Sequence, residues 1–115
     1  MTLCFGLKEA DIQKIRDIFS RHSEVKKAIL YGSRAKGNFK NGSDIDLTLI
    51  GGTALTLNLL YKIMEELDNL LLPYSIDLSI FSNITDADVI EHIKRVGVTF
   101  YSYQPEPDEK AGGEG

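Results

Sequence analysis

The sequence predicts an α/β (α+β) domain, a mixed β-sheet of about four to five strands backed by helices. Three observations carry this. Segments with apolar residues at helical spacing alternate with short runs of strand character, turn residues punctuate the boundaries, and two of the strands carry acids on one face. At 115 residues the chain has length for one hydrophobic core, so residues 1–103 are expected to form a single domain. Residues 104–115, QPEPDEKAGGEG, hold no large apolar side chain and are expected to form a disordered acidic tail.

From Leu7 to His22, Ile12, Ile15, Ile18 and Phe19 recur at helical spacing and predict a first amphipathic helix. Val25 to Tyr31 reads as a buried strand, broken by Gly32-Ser33. Ser33 to Gly37 has room for one helical turn, and Asn38 to Ser43 is a polar loop. Asp44 to Ile50 alternates, placing Ile45, Leu47 and Leu49 on one face and Asp44, Asp46 and Thr48 on the other. Leu60, Ile63, Met64, Leu67 and Leu71 predict a second helix that Pro73 stops. Leu55, Leu57, Leu59, Leu70 and Leu72 lie outside that stripe, and burial under the chain's own loops is favoured over a protein interface. Tyr74 to Phe81 predicts a third strand with Ser75, Asp77 and Ser79 on its polar face. Thr85 is the expected N-cap of a third helix carrying Val89, Ile90, Ile93 and Val96 and ending at Gly97, and Val98 to Tyr101 closes the domain as a strand. The order of the strands is not readable.

Composition excludes several classes. Apolar residues make up 43% and charged residues 26%, which is ordinary for a globular domain. No apolar stretch reaches the roughly 18 to 20 residues needed to span a bilayer. The single cysteine, Cys4, forbids an internal disulfide, so a cytoplasmic setting is expected. A net charge of -4 argues against stable, direct nucleic-acid binding. Yet Arg21, Lys26, Lys27, Arg34, Lys36 and Lys40 are opposed in their stretch only by Glu24, which favours a phosphate-bearing ligand there.

Enzymes that move phosphoryl groups with two metal ions must hold those ions roughly 3.5 to 4 Å apart, and carboxylates on a rigid frame do this. Acids at i and i+2 on a strand project from one face about 6 to 7 Å apart, and an acid on an adjacent strand lies roughly 4.8 Å away. Asp44, Asp46 and Asp77 fit that frame if their strands are neighbours. Three like charges on one face call for a counter-ion, and Mg²⁺ suits an all-oxygen set. Gly32-Ser33 after a strand lets a phosphate approach the backbone, although alone such a pair is usually only a turn. The joint pattern is stronger: Gly-Ser, ten intervening residues, then Asp-x-Asp. By average residue usage that spacing arises by chance on the order of once per thousand chains of this length. His22 and His92 lack metal-ligand spacing and are expected at the surface or an edge, and Cys4 is expected to be inert.

The segment YGSRAKGNFKNGSDIDL resembles the signature of the DNA polymerase beta nucleotidyltransferase superfamily, and the short chain is similar to its minimal nucleotidyltransferase branch. The likeness runs from Val25 to about Tyr101. It implies the polymerase beta-like fold, two Mg²⁺ ions, and transfer of a nucleoside monophosphate from ATP or another nucleoside triphosphate to a hydroxyl. By the same likeness Gly32, Ser33, Arg34 and Lys36 hold the triphosphate, Asp44 and Asp46 bind the metals, and Asp77 completes the metal site and helps the acceptor lose its proton. Where the family often has arginine this chain has Lys36, which keeps the charge and loses the bidentate fork.

The minimal branch is similar to antitoxins that transfer AMP to a small helical HEPN partner, which implies such a partner here. The competing expectation is a catalytically weak binding module that neutralises the partner by contact alone. A third is a stand-alone transferase acting on a small molecule such as an aminoglycoside, for which the chain offers no evident lid or substrate domain.

Overall fold

The computed structural model describes residues 3–40 and 42–103. The expected tail, residues 104–115, lies outside the described residues. The described chain opens with a small antiparallel hairpin of β1 (Leu3–Cys4) and β2 (Leu7–Lys8), so Leu7 and Lys8, expected in the first helix, belong to a strand. Leu7, at its end, is fully buried. Helix α1 (Glu9–Ser20) then buries Ile12, Ile15, Ile18 and Phe19, and Glu9 and Asp11 in its first turn oppose the positive end of the helix dipole.

Strand β3 (Val25–Tyr31) leads through Gly32 into the single turn α2 (Ser33–Lys36), and β4 (Ile45–Gly51) follows the polar loop. Helix α3 (Leu57–Asp68) is capped by the Thr56 hydroxyl, which accepts the Leu59 N–H at 3.2 Å. Strand β5 (Ile76–Ile80), a 3₁₀ turn over Phe81–Asn83, helix α4 (Ala87–Val96) and strand β6 (Val98–Ser102) complete the described chain.

The main sheet is mixed, with four strands in the order β5-β4-β3-β6. Strand β3 runs antiparallel to β4 and β6, whereas β4 and β5, joined through α3, are parallel. Ala28, Leu30, Ile45, Leu47, Leu49, Leu78, Ile80 and Phe100 face α1 and α3 and form the core with their buried stripes. Arg16 on α1 adds a bond from its Nε to the Phe100 carbonyl at 2.8 Å, fixing the helix against β6. The opposite face, carrying Ile29, Tyr31, Asp46, Thr48, Asp77 and Ser79, is covered only in part, by α4 over β3.

Two expectations change. Helix α3 ends at Asp68, five residues before Pro73, because Leu71 takes a left-handed conformation (φ 55°); Leu71 leaves the apolar stripe and is 87% exposed. The cap of α4 is Asp86, not Thr85: its carboxylate accepts the Asp88 N–H at 2.9 Å, and a negative charge suits a helix N-terminus better than a hydroxyl does. Thr48, on the polar face by alternation, is fully buried and accepts a hydrogen bond from the Ser79 hydroxyl at 3.0 Å. Of the leucines outside the helical stripe, Leu55 is buried, Leu59, Leu70 and Leu72 are half-buried, and Leu57 is exposed. Among the described residues no helix is long and apolar enough to cross a membrane.

Candidate active site

The site forms where β3 gives way to α2. Gly32 sits at φ 80°, ψ -158°, a backbone region that is essentially glycine's alone. A side chain there would also collide with the Asp46 carboxylate, so the residue is a glycine for two independent reasons. Its carbonyl accepts the Lys36 N–H at 3.1 Å and starts the α2 turn, which Gly37 (φ 89°) closes by donating to the Ser33 carbonyl at 2.9 Å. A turn this short leaves its leading amides without intrahelical acceptors.

The two basic residues of the turn point to different environments. Lys36 is exposed. Arg34 is only 3% exposed: Nη1 donates to the Phe5 carbonyl at 2.8 Å, and Nε and Nη2 donate to the Ser43 carbonyl at 3.1 and 2.9 Å. Its guanidinium also lies 5.1 and 5.4 Å from the ring centres of Phe39 and Tyr74. Arg34 thereby ties the first hairpin to the residue before Asp44, and the loop that delivers the acids is anchored by a planar donor fork that lysine lacks.

Asp46 and Asp77 are direct register partners on the parallel strands β4 and β5, and Tyr31 pairs with Asp46 from the other side. Tyr31, Asp46 and Asp77 thus form one row across the open face, with Ile29, Thr48 and Ser79 in the next. Asp44 stands exposed just before β4. Burial raises the Asp46 carboxyl above its ordinary value, and the charges of Asp77 and Asp44 raise it further against a smaller opposing effect of His92. The Tyr31 hydroxyl is likewise raised, by burial first and then by Asp46 and Asp77, against a hydrogen bond with Ser79 that lowers it.

These residues border an open cleft of about 350 Å³ lined by Tyr31, Gly32, Asp46, Asp77, Asp88, Val89 and His92. Of the residues expected at the site, Gly32, Asp46 and Asp77 line the cleft. Asp44 stands close enough to act on Asp46 electrostatically, Ser33 opens α2 beside Gly32, and Arg34 and Lys36 follow within that turn. Among the described residues no three acidic, histidine or cysteine side chains close into a ready-made metal cage, and neither ion pair involves Asp44, Asp46 or Asp77. A like-charged carboxylate row without a cationic side-chain partner suits a hard divalent cation. Mg²⁺ commonly takes one or two protein carboxylates and completes its octahedron with water and substrate phosphates.

The polymerase beta nucleotidyltransferase family profile matches residues 13–106. The chain belongs to this family. The nucleotidyltransferase is similar in fold to a toxin–antitoxin complex with AMP-PNP, at 20% identity and TM-score 0.61 over 91% of this chain and 80% of that one. It also resembles the complex of a tri-AMPylated Shewanella oneidensis HEPN toxin with its MNT antitoxin, at 14% identity and TM-score 0.59 over 90% and 77% of the two chains. A protein described as a minimal nucleotidyltransferase matches at 22% identity and TM-score 0.58 over 77% and 88%. No curated protein matches the chain.

The sequence reading missed α4's part in the nucleotidyltransferase cleft. His92, expected at the surface or an edge, accepts the Gly32 N–H through Nε2 at 3.2 Å and stands edge-on to Tyr31 at 6.2 Å. Asp88 and His92 are spaced i, i+4 on one helix face, a pattern visible in the sequence. Which way that face pointed was not.

Proposed function

We propose that this nucleotidyltransferase carries out Mg²⁺-dependent transfer of AMP from ATP to a hydroxyl on a partner protein of the HEPN toxin type. The observation that carries the reading is the register pairing of Asp46 with Asp77 beside Gly32, whose open side the Asp46 carboxylate fills. Gly32 and Ser33, with Lys36 behind them, are assigned to the triphosphate, and Asp44, Asp46 and Asp77 to two Mg²⁺ ions; Arg34, expected to share the triphosphate, is instead occupied by the Phe5 and Ser43 carbonyls and anchors the loop before Asp44. Bound there, Mg²⁺ would supply charge neutralisation at the phosphates and a more acidic acceptor hydroxyl.

The residues of the chain then have distinct tasks. The Gly32 turn brings backbone close to the triphosphate and aims the α-phosphate at the acid row. Asp77, on the edge strand β5 and exposed, takes the proton of the acceptor hydroxyl as its oxygen bonds to the α-phosphorus. The bond from that phosphorus to the bridging oxygen breaks, and pyrophosphate leaves. The partner's identity is supported by the toxin–antitoxin neighbours and by the open cleft, which leaves room for an acceptor presented by another chain.

The test is co-expression with a helical HEPN-type protein that co-purifies with this chain, followed by intact mass measurement of that protein. An increase equal to one AMP or a multiple, dependent on Mg²⁺ and ATP, is expected. A partner that is bound and neutralised with no change in mass would instead favour neutralisation by contact.

A further inference from the structure

We infer that His92 is a positioning residue of the nucleotide site, which holds the Gly32 turn in its phosphate-receiving shape through the Gly32 N–H. The inference rests on the nucleotidyltransferase reading for what the turn receives, and on the geometry alone for how the turn is held.

Gly32 occupies a conformation with little intrinsic preference to stay there, since glycine populates several backbone regions with comparable ease. Three contacts define it. Its carbonyl is fixed by the Lys36 amide at 3.1 Å, its open side is filled by the Asp46 carboxylate, and its amide is taken by His92 Nε2 at 3.2 Å. The first two come from the turn and from β4. The third comes from α4, sixty residues along the chain, and it is the one among the described contacts that ties Gly32 to the far wall of the cleft.

For Nε2 to accept, it must be unprotonated, so the ring carries its hydrogen on Nδ1. The imidazole is oriented further by standing edge-on to Tyr31 at 6.2 Å. Because α4 packs over β3, His92 also couples the helix to the row of Tyr31 and Asp46. Loss of the acceptor frees the Tyr31–Gly32 peptide to rotate, and rotation there moves both the glycine that borders Asp46 and the first amides of α2. Asp88 and Val89, one turn earlier on α4, line the same cleft, so a displaced helix would open that wall of the cleft as well.

The experiment compares wild type with His92→Gln, whose side-chain oxygen can replace Nε2 as acceptor, and His92→Leu, which fills similar space without one. Amide hydrogen exchange at Gly32 is followed in the nucleotide-free protein, and Mg²⁺·ATP affinity is measured by titration. Gly32 exchange should accelerate and ATP affinity fall in His92→Leu by roughly two- to tenfold, the worth of one net hydrogen bond. His92→Gln should restore most of both. Unchanged exchange in His92→Leu, unchanged ATP affinity in that variant, or a His92→Gln protein as impaired as His92→Leu would overturn the inference. A wild-type protein that binds no ATP would instead contradict the proposed function, and the Gly32 exchange rates would still decide whether His92 holds the turn.

Discussion

Asp46 is the residue on which the site's electrostatics converge. Desolvation and the charges of Asp77 and Asp44 raise its pKa on folding, so ionised Asp46 works against the metal-free fold. The sign follows directly: its relative stabilising contribution is fully present below the ordinary value of 3.8 and is lost as pH rises through the raised folded value. Metal-free melts of wild type and Asp46→Asn should therefore show the variant gaining on wild type as pH rises from below 3.8 toward neutrality, and Mg²⁺ with ATP should narrow that gap. A difference that moved toward wild type with rising pH would mean that Asp46 has a cationic partner in solution. Gly32 makes the complementary case on steric grounds. Gly32→Ala should destabilise the domain by about 1 to 3 kcal/mol for the disfavoured backbone conformation, and it should displace the Asp46 carboxylate, so ATP binding should fall further than the melting temperature suggests. Intact ATP affinity in a folded Gly32→Ala protein would show that the close approach is not part of the site. Arg34 shows what a sequence reading can and cannot deliver at this scale. A basic residue beside the Gly-Ser turn was legible, but the direction of its guanidinium depends on the carbonyls of Phe5 and Ser43 and on two rings distant in sequence.

At the scale of elements, the patterns that could be read were those with a period. Strand β3 was legible at both ends because charge precedes it and Gly32-Ser33 follows, and α1 because its four buried residues repeat at helical spacing. The failures sit where local chemistry competes with the pattern: Leu71 continues the apolar stripe of α3 in sequence but lies beyond the helix's end, and Asp86 displaces Thr85 as cap. The pairing of β4 with β5 had no signal in either strand alone, since parallel neighbours are chosen by what α3 buries between them. Yet that pairing sets Asp46 opposite Asp77. Leu47 ties the core side of this pairing together, being fully buried between Leu30 on β3 and Leu78 on β5. Leu47→Ala should cost about 2 to 5 kcal/mol of stability, measured by denaturant unfolding. A cost well under 1 kcal/mol would mean that the centre of the sheet is not the tight layer described here.

The whole molecule divides its sheet between two purposes. One face, sealed by α1 and α3, carries the hydrophobic core, and the other, only partly covered by α4, exposes a row of acids in which ionised Asp46 works against the fold. Sacrificing stability at a site that must bind charge is a common feature of enzymes. The charge pattern, acidic overall with a basic stretch around the Gly-Ser turn, is suited to attracting a phosphate-bearing ligand locally. The central claim is that Asp46 and Asp77 act together on one nucleotidyl-transfer step. The measurement that tests it is transfer of labelled AMP to the co-purified partner by Asp46→Asn, Asp77→Asn and the double variant. Each single change should reduce transfer by at least about a hundredfold, with little further loss in the double variant, because groups that act as a unit are strongly non-additive, while metal-free melting temperatures hold or rise. Near-normal transfer by Asp77→Asn in a folded protein would contradict the account.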